Sequence, residues 1–225
     1  MLEPSKRLIG SRVEARDGEM GKVKDVYFDQ RTWNVRYLVV DTGRWLPGRQ
    51  VLISPTSVGS LTEDQHLSVL LTKAQVEDSP PITWDKPVSR EMEERLALHY
   101  SWPAYWVPPI PGAPLLDPML AGRAAPPQHV VTVETETERA LRSVEEVTGY
   151  RIAAVDGDLG HVDQFLIDTD SWMVSGLVID TKNWLSGKKV VLPPSRIRKI
   201  DWASSHVEID LDREGVKAAE EYRED

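Results

Sequence analysis

A duplicated stretch constrains this chain more than any other feature of its sequence. Residues 10–58 align without a gap to residues 149–197, at a constant offset of 139, and 19 of the 49 positions are identical. The similarity continues toward the end of each copy after a one-residue insertion near residues 64 and 204. Internal similarity at this level predicts two copies of one structural unit that stack to share a buried surface.

Each copy contains the sequence pattern of a β-hairpin. Polar and apolar residues alternate before Asp17-Gly18 and again before Asp156-Gly157, which is the period of half-buried strands. Asp-Gly between such segments favours a type I′ turn, because that turn requires positive φ at both central residues. The following Gly21 and Gly160 predict a bulge or a close backbone approach inside the next strand.

A third strand is predicted at Val35–Asp41 and at the equivalent residues 174–180. It is apolar at nearly every position of the first copy, so we expect both of its faces to be covered. Asp29 and Asp168 precede this strand, and each is interpreted as the start of a turn whose carboxylate accepts backbone N–H groups. The matched tryptophans Trp33, Trp45, Trp172 and Trp184 are expected to be buried in the core or between the copies.

The two copies resemble a known domain family. "IGSRVEARDGEMGKVKDVYFD", "VRYLVVDTG" and "GRQVLISP" in the first copy are similar to the PRC-barrel domain, and "VTGYRIAAVDGDLGHVDQFLID", "VSGLVIDTK" and "GKKVVLPP" in the second resemble it equally. The family is named after the cytoplasmic part of the photosynthetic reaction-centre H subunit and also provides a domain of a bacterial 16S rRNA maturation factor. The resemblance implies an all-β fold with short helices, in which two small, strongly bent antiparallel β-barrels are related by internal duplication. It implies no active site, because the shared residues are turn formers and core groups.

The chain divides into three predicted regions. Residues 1–79 form the first PRC-barrel repeat, 80–140 a helix followed by a linker rich in proline and aromatic residues, and 141–225 the second repeat with a C-terminal helix. Ser89–His99 has helical apolar spacing, with acidic residues in its first turn. Further helix starts are predicted from the capping boxes Thr72-x-x-Gln75 and Ser143-x-x-Glu146 and from an N-cap at Asp212.

Composition narrows the classes of function. The net charge of −9 disfavours broad, charge-driven binding to nucleic acid. The chain has no cysteine, which excludes disulfides and thiolate chemistry and is consistent with a cytosolic protein. Neither a signal-peptide pattern nor an apolar run of membrane-spanning length is found, so we predict a cytoplasmic, bacterial protein without a transmembrane segment.

No residues form a recognisable catalytic, cofactor-binding or metal-binding motif. The strand-end pairs Asp29/Asp41 and Asp168/Asp180 could act as acid and base or hold a divalent cation, but turn capping is the favoured interpretation. The histidines never occur at metal-ligand spacing, and no Gly-x-Ser-x-Gly or phosphate-binding loop is present. We therefore predict a protein that is not an enzyme and has no cofactor.

Two groups of residues remain as a candidate interaction surface. Aromatic side chains among prolines need a surface to lie on, so those of the linker either pack on the repeats or present a partner site. The basic cluster near the end of the second copy could contact RNA phosphates or cover a solvated barrel edge. The residues are Trp102, Tyr105, Trp106, Lys188, Lys189, Arg196, Arg198 and Lys199.

The sequence thus predicts a non-enzymatic protein–protein interaction or adaptor module whose partner and pathway are unknown. An RNA-processing or ribosome-maturation accessory factor is one alternative, and a peripheral partner of a membrane electron-transfer complex is a further one. A homo-oligomer is also left open. We expect the two copies to be related by a pseudo-twofold axis, because one self-complementary contact would cover the apolar surface of both.

Overall fold

The computed structural model describes residues 1–82, 88–106, 141–181 and 187–223. The described chain is mostly β-structure with a few short helices, and its strands form two mixed sheets of the kind expected for the PRC-barrel type. None of the helices in these ranges is long and apolar enough to cross a lipid bilayer.

The first sheet has the strand order β5-β4-β3-β2-β7-β6, and β8 pairs with β3 beside this path. A 3-10 turn, Pro55–Ser57, joins β5 to β6. The elements up to residue 106 are β1 (Leu2–Pro4), α1 (Ser5–Leu8), β2 (Arg12–Ala15), β3 (Gly18–Asp29), β4 (Val35–Asp41), β5 (Gln50–Ile53), β6 (Val58–Leu61), β7 (His66–Val69), α2 (Lys73–Glu77) and α3 (Arg90–Tyr100).

The second sheet has the order β13-β14-β9-β10-β11-β12-β15, and β1 pairs with β10 beside this path. The 3-10 turn Pro194–Arg196 joins β12 to β13. The elements from residue 141 onward are β8 (Leu141–Ser143), α4 (Val144–Val147), β9 (Arg151–Ala154), β10 (Gly157–Asp168), β11 (Met173–Asp180), β12 (Lys189–Leu192), β13 (Ile197–Asp201), β14 (His206–Ile209), α5 (Arg213–Lys217) and β15 (Glu220–Glu221).

Strand pairing is mainly antiparallel, as predicted, but each sheet contains one parallel pair. β2 lies parallel to β7 in the first sheet, and β9 lies parallel to β14 in the second. The registers are equivalent, since Val13 faces Leu67 and Ile152 faces Val207. The last strand of each copy thus lies beside the first strand of its hairpin.

The Asp-Gly hairpins form, but the predicted turn type is wrong. Ala15 pairs with Gly18 and Ala154 with Gly157, so each aspartate lies inside the loop and each glycine opens the returning strand. Gly18 and Gly157 have φ of 129° and 127°, whereas neither Asp17 nor its counterpart is among the described residues with positive φ. The positive φ falls on the glycine that begins the returning strand rather than on two turn residues, and the register shift of each hairpin lies further along the strands.

The aspartates of these hairpins instead cap short helices. The Asp17 carboxylate accepts the Lys73 backbone N–H at 2.8 Å at the start of α2, and Asp156 accepts the Arg213 N–H at 3.1 Å at the start of α5. The predicted capping box of Thr72 and Gln75 is present, and so is the N-cap at Asp212. Each hairpin is thereby tied to the helix that follows the last strand of its copy.

Gly21 and Gly160 confirm the predicted close approach. A Cβ at Gly21 would lie 2.0 Å from the Asp41 carbonyl oxygen, and one at Gly160 would lie 2.1 Å from the Asp180 carbonyl oxygen. Both glycines also have φ values, 152° and 138°, that L-residues rarely adopt. Each sheet depends on a glycine where β3 meets β4 or β10 meets β11.

Two strands are exchanged between the halves. β1 belongs to the first half in sequence but pairs with β10, with Leu2 opposite Asp168. β8 pairs reciprocally with β3, with Leu141 opposite Asp29. Because the registers keep the offset of 139, the two exchanges are equivalent under a pseudo-twofold relation.

The core is continuous across the contact between the halves. The Phe28 and Phe165 rings lie 5.3 Å apart, and both side chains are fully buried. The Val35 N–H donates to the Trp172 carbonyl, and the Val174 N–H donates to the Trp33 carbonyl, each at 2.8 Å. Burial of one large apolar side chain stabilises the fold by roughly 1.5–3 kcal/mol, so the two halves share much of their stability.

Candidate interaction surface

Helix α3 covers the outer face of the first sheet. It begins where the Ser89 hydroxyl accepts the Met92 N–H at 3.2 Å, and it carries acidic residues in its first turn, which complements the helix dipole. Its apolar side, centred on the buried Leu96, packs with Tyr37, Val39 and Leu52 of the sheet. The predicted helix over 89–99 is confirmed, displaced by one residue.

A buried carboxylate holds α3 to the sheet. Glu93 is only 2% exposed, and its Oε1 accepts the hydroxyl protons of Tyr105 at 2.6 Å and Tyr37 at 3.1 Å. The Arg90 guanidinium lies 2.7 Å from its Oε2. The helix, the sheet and the following segment therefore meet at one carboxylate.

Burial sets the electrostatics of this cluster. Loss of hydration raises the pKa of Glu93, and hydrogen bonds from the tyrosines and the charge of Arg90 oppose that rise. Burial likewise raises the pKa of the Tyr37 and Tyr105 phenols, and the neighbouring Glu93 charge adds to the effect. Both phenols remain protonated donors at neutral pH.

The three aromatic residues predicted as an interaction surface lie beside this cluster on the first half. Trp102 stacks on Tyr100 with ring centroids 4.3 Å apart and donates its indole N–H to the Ser57 hydroxyl at 2.6 Å. Tyr105 meets Trp106 edge to face at 4.9 Å. All three are half-buried, so they pack on the protein and still present part of each ring to solvent.

Arginine side chains stiffen this aromatic surface. The Arg36 Cζ lies 3.7 Å from the centroid of the Tyr105 ring, and the Arg90 Cζ lies 4.4 Å from that of Trp106. Cation–π contacts of this kind contribute about 0.5–2 kcal/mol each, depending on burial. Interface centres are enriched in Trp, Tyr and Arg. We refer to Arg36, Arg90, Trp102, Tyr105 and Trp106 as the aromatic surface.

The predicted basic residues divide into two groups, one at β12 and one at β13, and four other strands lie between β12 and β13 in the order of the second sheet. Lys188 and Lys189 adjoin β12 and lie 3.7 Å from Glu221 and 3.2 Å from Asp163, respectively. Arg196 lies 3.5 Å from Asp210, and Lys199 lies 2.5 Å from Asp201. Arg198 is exposed. Four of the five cations thus face a carboxylate, which weakens the field they could offer to phosphates.

Three of the four strand-end aspartates accept backbone N–H groups of the turn that follows them, as predicted. Asp29 accepts the Arg31 N–H at 2.9 Å, Asp168 accepts the Asp170 N–H at 3.1 Å and Asp41 accepts the Gly43 N–H at 2.8 Å. The Asp180 carboxylate lies 3.9 Å from His161. Within the described ranges, no group of three or more acidic, histidine or cysteine side chains could hold a metal ion.

The matched tryptophans have different surroundings. Trp33 and Trp172 lie at the contact between the halves with φ of 59° and 52°, and Trp33 stacks on Phe28 at 5.5 Å. Trp45 lies 4.7 Å from the Lys73 ammonium and lines an open groove of about 500 Å³ beside Gly21. Trp184 lies outside the described residues.

Sequence reasoning misses two buried acidic groups that join distant parts of the chain. In the sequence, Glu93 is recognisable only as a favourable charge in the first turn of a helix, because no neighbouring residue indicates that it faces a sheet. Asp25 is 6% exposed and accepts the Ser143 hydroxyl at 2.5 Å and the Glu145 N–H at 2.9 Å. Its partners are more than a hundred residues away, although the capping serine before α4 is a partial signal.

Comparison with known proteins agrees with this fold. The chain has a mostly-β architecture of two mixed sheets, and residues 3–67 match the family model of the PRC-barrel domain. An uncharacterized protein of Deinococcus radiodurans is 32% identical over 74 residues, which cover 33% of this chain and 27% of the relative. The chain therefore spans about a quarter of the length of that relative.

Proposed function

We propose that this chain is a non-enzymatic protein–protein interaction module made of two PRC-barrel repeats. The second repeat is included because its strands keep the pairing and register of the first, although the family match covers only the first. The proposed repeats are residues 1–79 and 141–225, with an exchanged strand in each. Residues 80–140 then connect them, and helix α3 within this region covers the first sheet.

The observation that supports this function is the aromatic surface. Its rings are held by hydrogen bonds and cation–π contacts, so little side-chain freedom remains to be lost when a partner binds. Leu98, on the same helix, is 84% exposed. A rigid cluster of aromatic and arginine side chains, with an exposed leucine on the same helix, fits a protein surface better than a polyanion.

Variants of the full chain as bait test this proposal. We expect Trp106→Ala to lose the host proteins that the wild-type chain retains, with unchanged folding by circular dichroism. Trp202→Ala is the matched control, because Trp202 is 38% exposed but lies on the second half. The same proteins retained by Trp106→Ala would contradict the proposal.

RNA binding remains the alternative proposal, and Arg198 is its best-placed cation because it is exposed and, unlike the other four, faces no carboxylate among the described residues. Electrostatic binding to RNA falls steeply with salt. Titration of labelled RNA at low salt with the wild-type chain and a Lys188→Glu/Lys189→Glu variant decides between the two. Binding that disappears in the variant would favour RNA, and no binding at low salt would exclude it.

A further inference from the structure

The contact between the halves includes two equivalent places where an exchanged strand and its short helix lie on the other half. At one, β1 and α1 of the first half lie on β10, and at the other, β8 and α4 lie on β3. Equivalent residues differ in number by 139, so Lys6 corresponds to Glu145 and Asp163 corresponds to Lys24. This equivalence allows the charges at the two places to be compared position by position.

The charges are inverted between the two places. In the first, Lys6 Nζ lies 2.7 Å from Asp163 Oδ1, and the Asp163 side chain is only 12% exposed. In the second, the position of Lys6 is taken by the acidic Glu145 and that of Asp163 by the basic Lys24. The second place thus has charges of opposite sign at the equivalent positions, with the signs exchanged, although Lys24 and Glu145 are both exposed and form no ion pair with each other.

The inversion extends to the neighbouring positions of the exchanged segments. Glu3 and Arg7 form an ion pair at 3.4 Å in the first segment. Their counterparts are Arg142 and Glu146, where burial raises the pKa of Glu146 and the Arg142 charge opposes that rise. All three charged positions shared by these segments thus have opposite signs.

Asp163 shows that the first place favours ionised groups. Burial opposes ionisation of this carboxyl, but hydrogen bonds from Lys6 and Lys189 outweigh burial and lower its pKa. A lysine in place of Asp163 would put three cations together. A glutamate in place of Lys6 would put a second carboxylate next to the largely buried Asp163.

A hydrogen bond adds a second difference. Asp25 accepts the Ser143 hydroxyl and the Glu145 N–H from the segment that lies on β3. The residue equivalent to Ser143 in the other segment is Pro4, which has no hydroxyl. A first half paired with another first half would leave the buried Asp25 without this donor, at a cost for an unpaired buried group.

We propose that this interface selects a first half against a second half and rejects pairs of like halves. Two first halves would place Lys6 opposite Lys24, and two second halves would place Glu145 opposite Asp163. Repulsion built into the wrong pairing is an established source of specificity. The partner that fits either half is therefore the complementary half of the same chain.

Charge reversals in the intact chain reproduce the rejected pairings. Asp163→Lys and Glu145→Lys imitate two first halves, and Lys6→Glu and Lys24→Glu imitate two second halves. We expect each of these four variants to lower the midpoint of urea unfolding more than the controls Lys22→Glu and Glu19→Lys do. Both controls are charge reversals on β3, outside the contact between the halves. Two double variants combine the reversals of one place: Lys6→Glu/Asp163→Lys and Lys24→Glu/Glu145→Lys. The urea midpoint of each double should fall by no more than half of the summed falls of its two single variants.

The first double tests the ion pair that the structure shows, although Lys189 also contacts Asp163 and limits recovery there. A variant too unstable to be measured alone is scored by whether its double restores soluble, folded protein. The proposal would be overturned if the fall in urea midpoint of each double variant equalled the sum of the falls of its two single variants. Single reversals no worse than the two controls would overturn it as well.

Discussion

The two halves have the same strand pairing, but their outer faces differ. Tyr37 of the first sheet lies under α3 and donates to Glu93, whereas the equivalent residue of the second sheet is Gly176. A Cβ at Gly176 would lie 2.7 Å from the Val191 Cγ1, so the second sheet has no room there for a tyrosine in this arrangement. Leu141 packs under the cover of the first sheet, while its counterpart Leu2 is 54% exposed.

This comparison distinguishes the structural features that both halves share from those that only one half has. The hairpin, the close-approach glycine and the capping aspartate occur in both halves and define the fold. The Glu93 cluster and the aromatic surface occur only on the first half, among the residues described. The halves should therefore respond alike to changes in the first set and differently to changes in the second.

The largest effect is expected from alanine at the close-approach glycines. A Cβ at Gly21 or Gly160 would overlap a backbone carbonyl oxygen that cannot move without breaking the sheet. Gly21→Ala and Gly160→Ala should each lower the free energy of unfolding by about 3 kcal/mol or more, measured by urea denaturation.

Gly43→Ala is the control for this pair. Gly43 has φ of 56°, and an added Cβ would have no other atom within 4 Å, so only the backbone preference is affected. Its cost should be about 1 kcal/mol. Equal costs for Gly43 and Gly21 would show that the carbonyl contact is not limiting, and unequal costs for Gly21 and Gly160 would break the equivalence of the halves.

A smaller effect, confined to the first half, is expected from loss of the Tyr105 hydroxyl. Tyr105→Phe leaves one acceptor site of buried Glu93 unfilled and should cost about 1–2 kcal/mol. Hydrogen exchange should then accelerate in α3 but not in α4 or α5. Tyr37→Phe, whose bond is longer at 3.1 Å, should accelerate α3 less. Exchange that changes equally in both halves would show that Glu93 does not act locally.

The pH dependence of stability should also distinguish the halves. Burial raises the pKa of Glu93, so the folded state holds its proton to a higher pH than the unfolded state does. Stability therefore falls as pH rises from the usual glutamate range through the raised folded pKa. Glu93→Gln should flatten this decline in urea midpoints between about pH 4 and 8. Glu91→Gln, on the exposed side of the same helix, should keep it, and a decline of equal slope in both variants would assign it to other groups.

The smallest effect is expected at the capping aspartates. Asp17→Ala and Asp156→Ala each remove the acceptor for a helix N-terminal N–H and should cost about 0.5–1 kcal/mol. The two losses should agree within error by thermal denaturation, because the contacts are equivalent. Asp158→Ala is an exposed control on β10, and a loss as large as that of Asp156→Ala would show that the cap contributes nothing.

Local features of the fold could be predicted from the sequence. Alternation, Asp-Gly pairs and capping residues indicate strands, hairpins and helix starts through interactions within a few residues. The close backbone approach at Gly21 and Gly160 could also be predicted, because glycine weakens a strand and usually marks a bulge or a close approach. The turn type was not, because Asp17 contacts Lys73, and this distant contact favours a different loop.

The exchange of strands could not be predicted. β1 and β8 are three residues long, and Leu2–Pro4 has too little pattern to specify a partner. Their pairing follows from the shape of the whole contact, in which the Ser5 hydroxyl accepts the Phe165 N–H at 3.0 Å. The burial of Glu93 and Asp25 could not be predicted either, because it depends on partners that lie far away in the sequence.

The exchanged strands also impose an order on synthesis. As the chain leaves the ribosome, the edge of β3 stays unpaired until β8, residues 141–143, has emerged. β1 stays unpaired until β10 has emerged, which is later. The first half thus exposes an unpaired strand edge throughout the synthesis of the connecting region, and such edges favour contacts with other nascent chains. The pairing of the exchanged strands therefore waits until the second half is being synthesised.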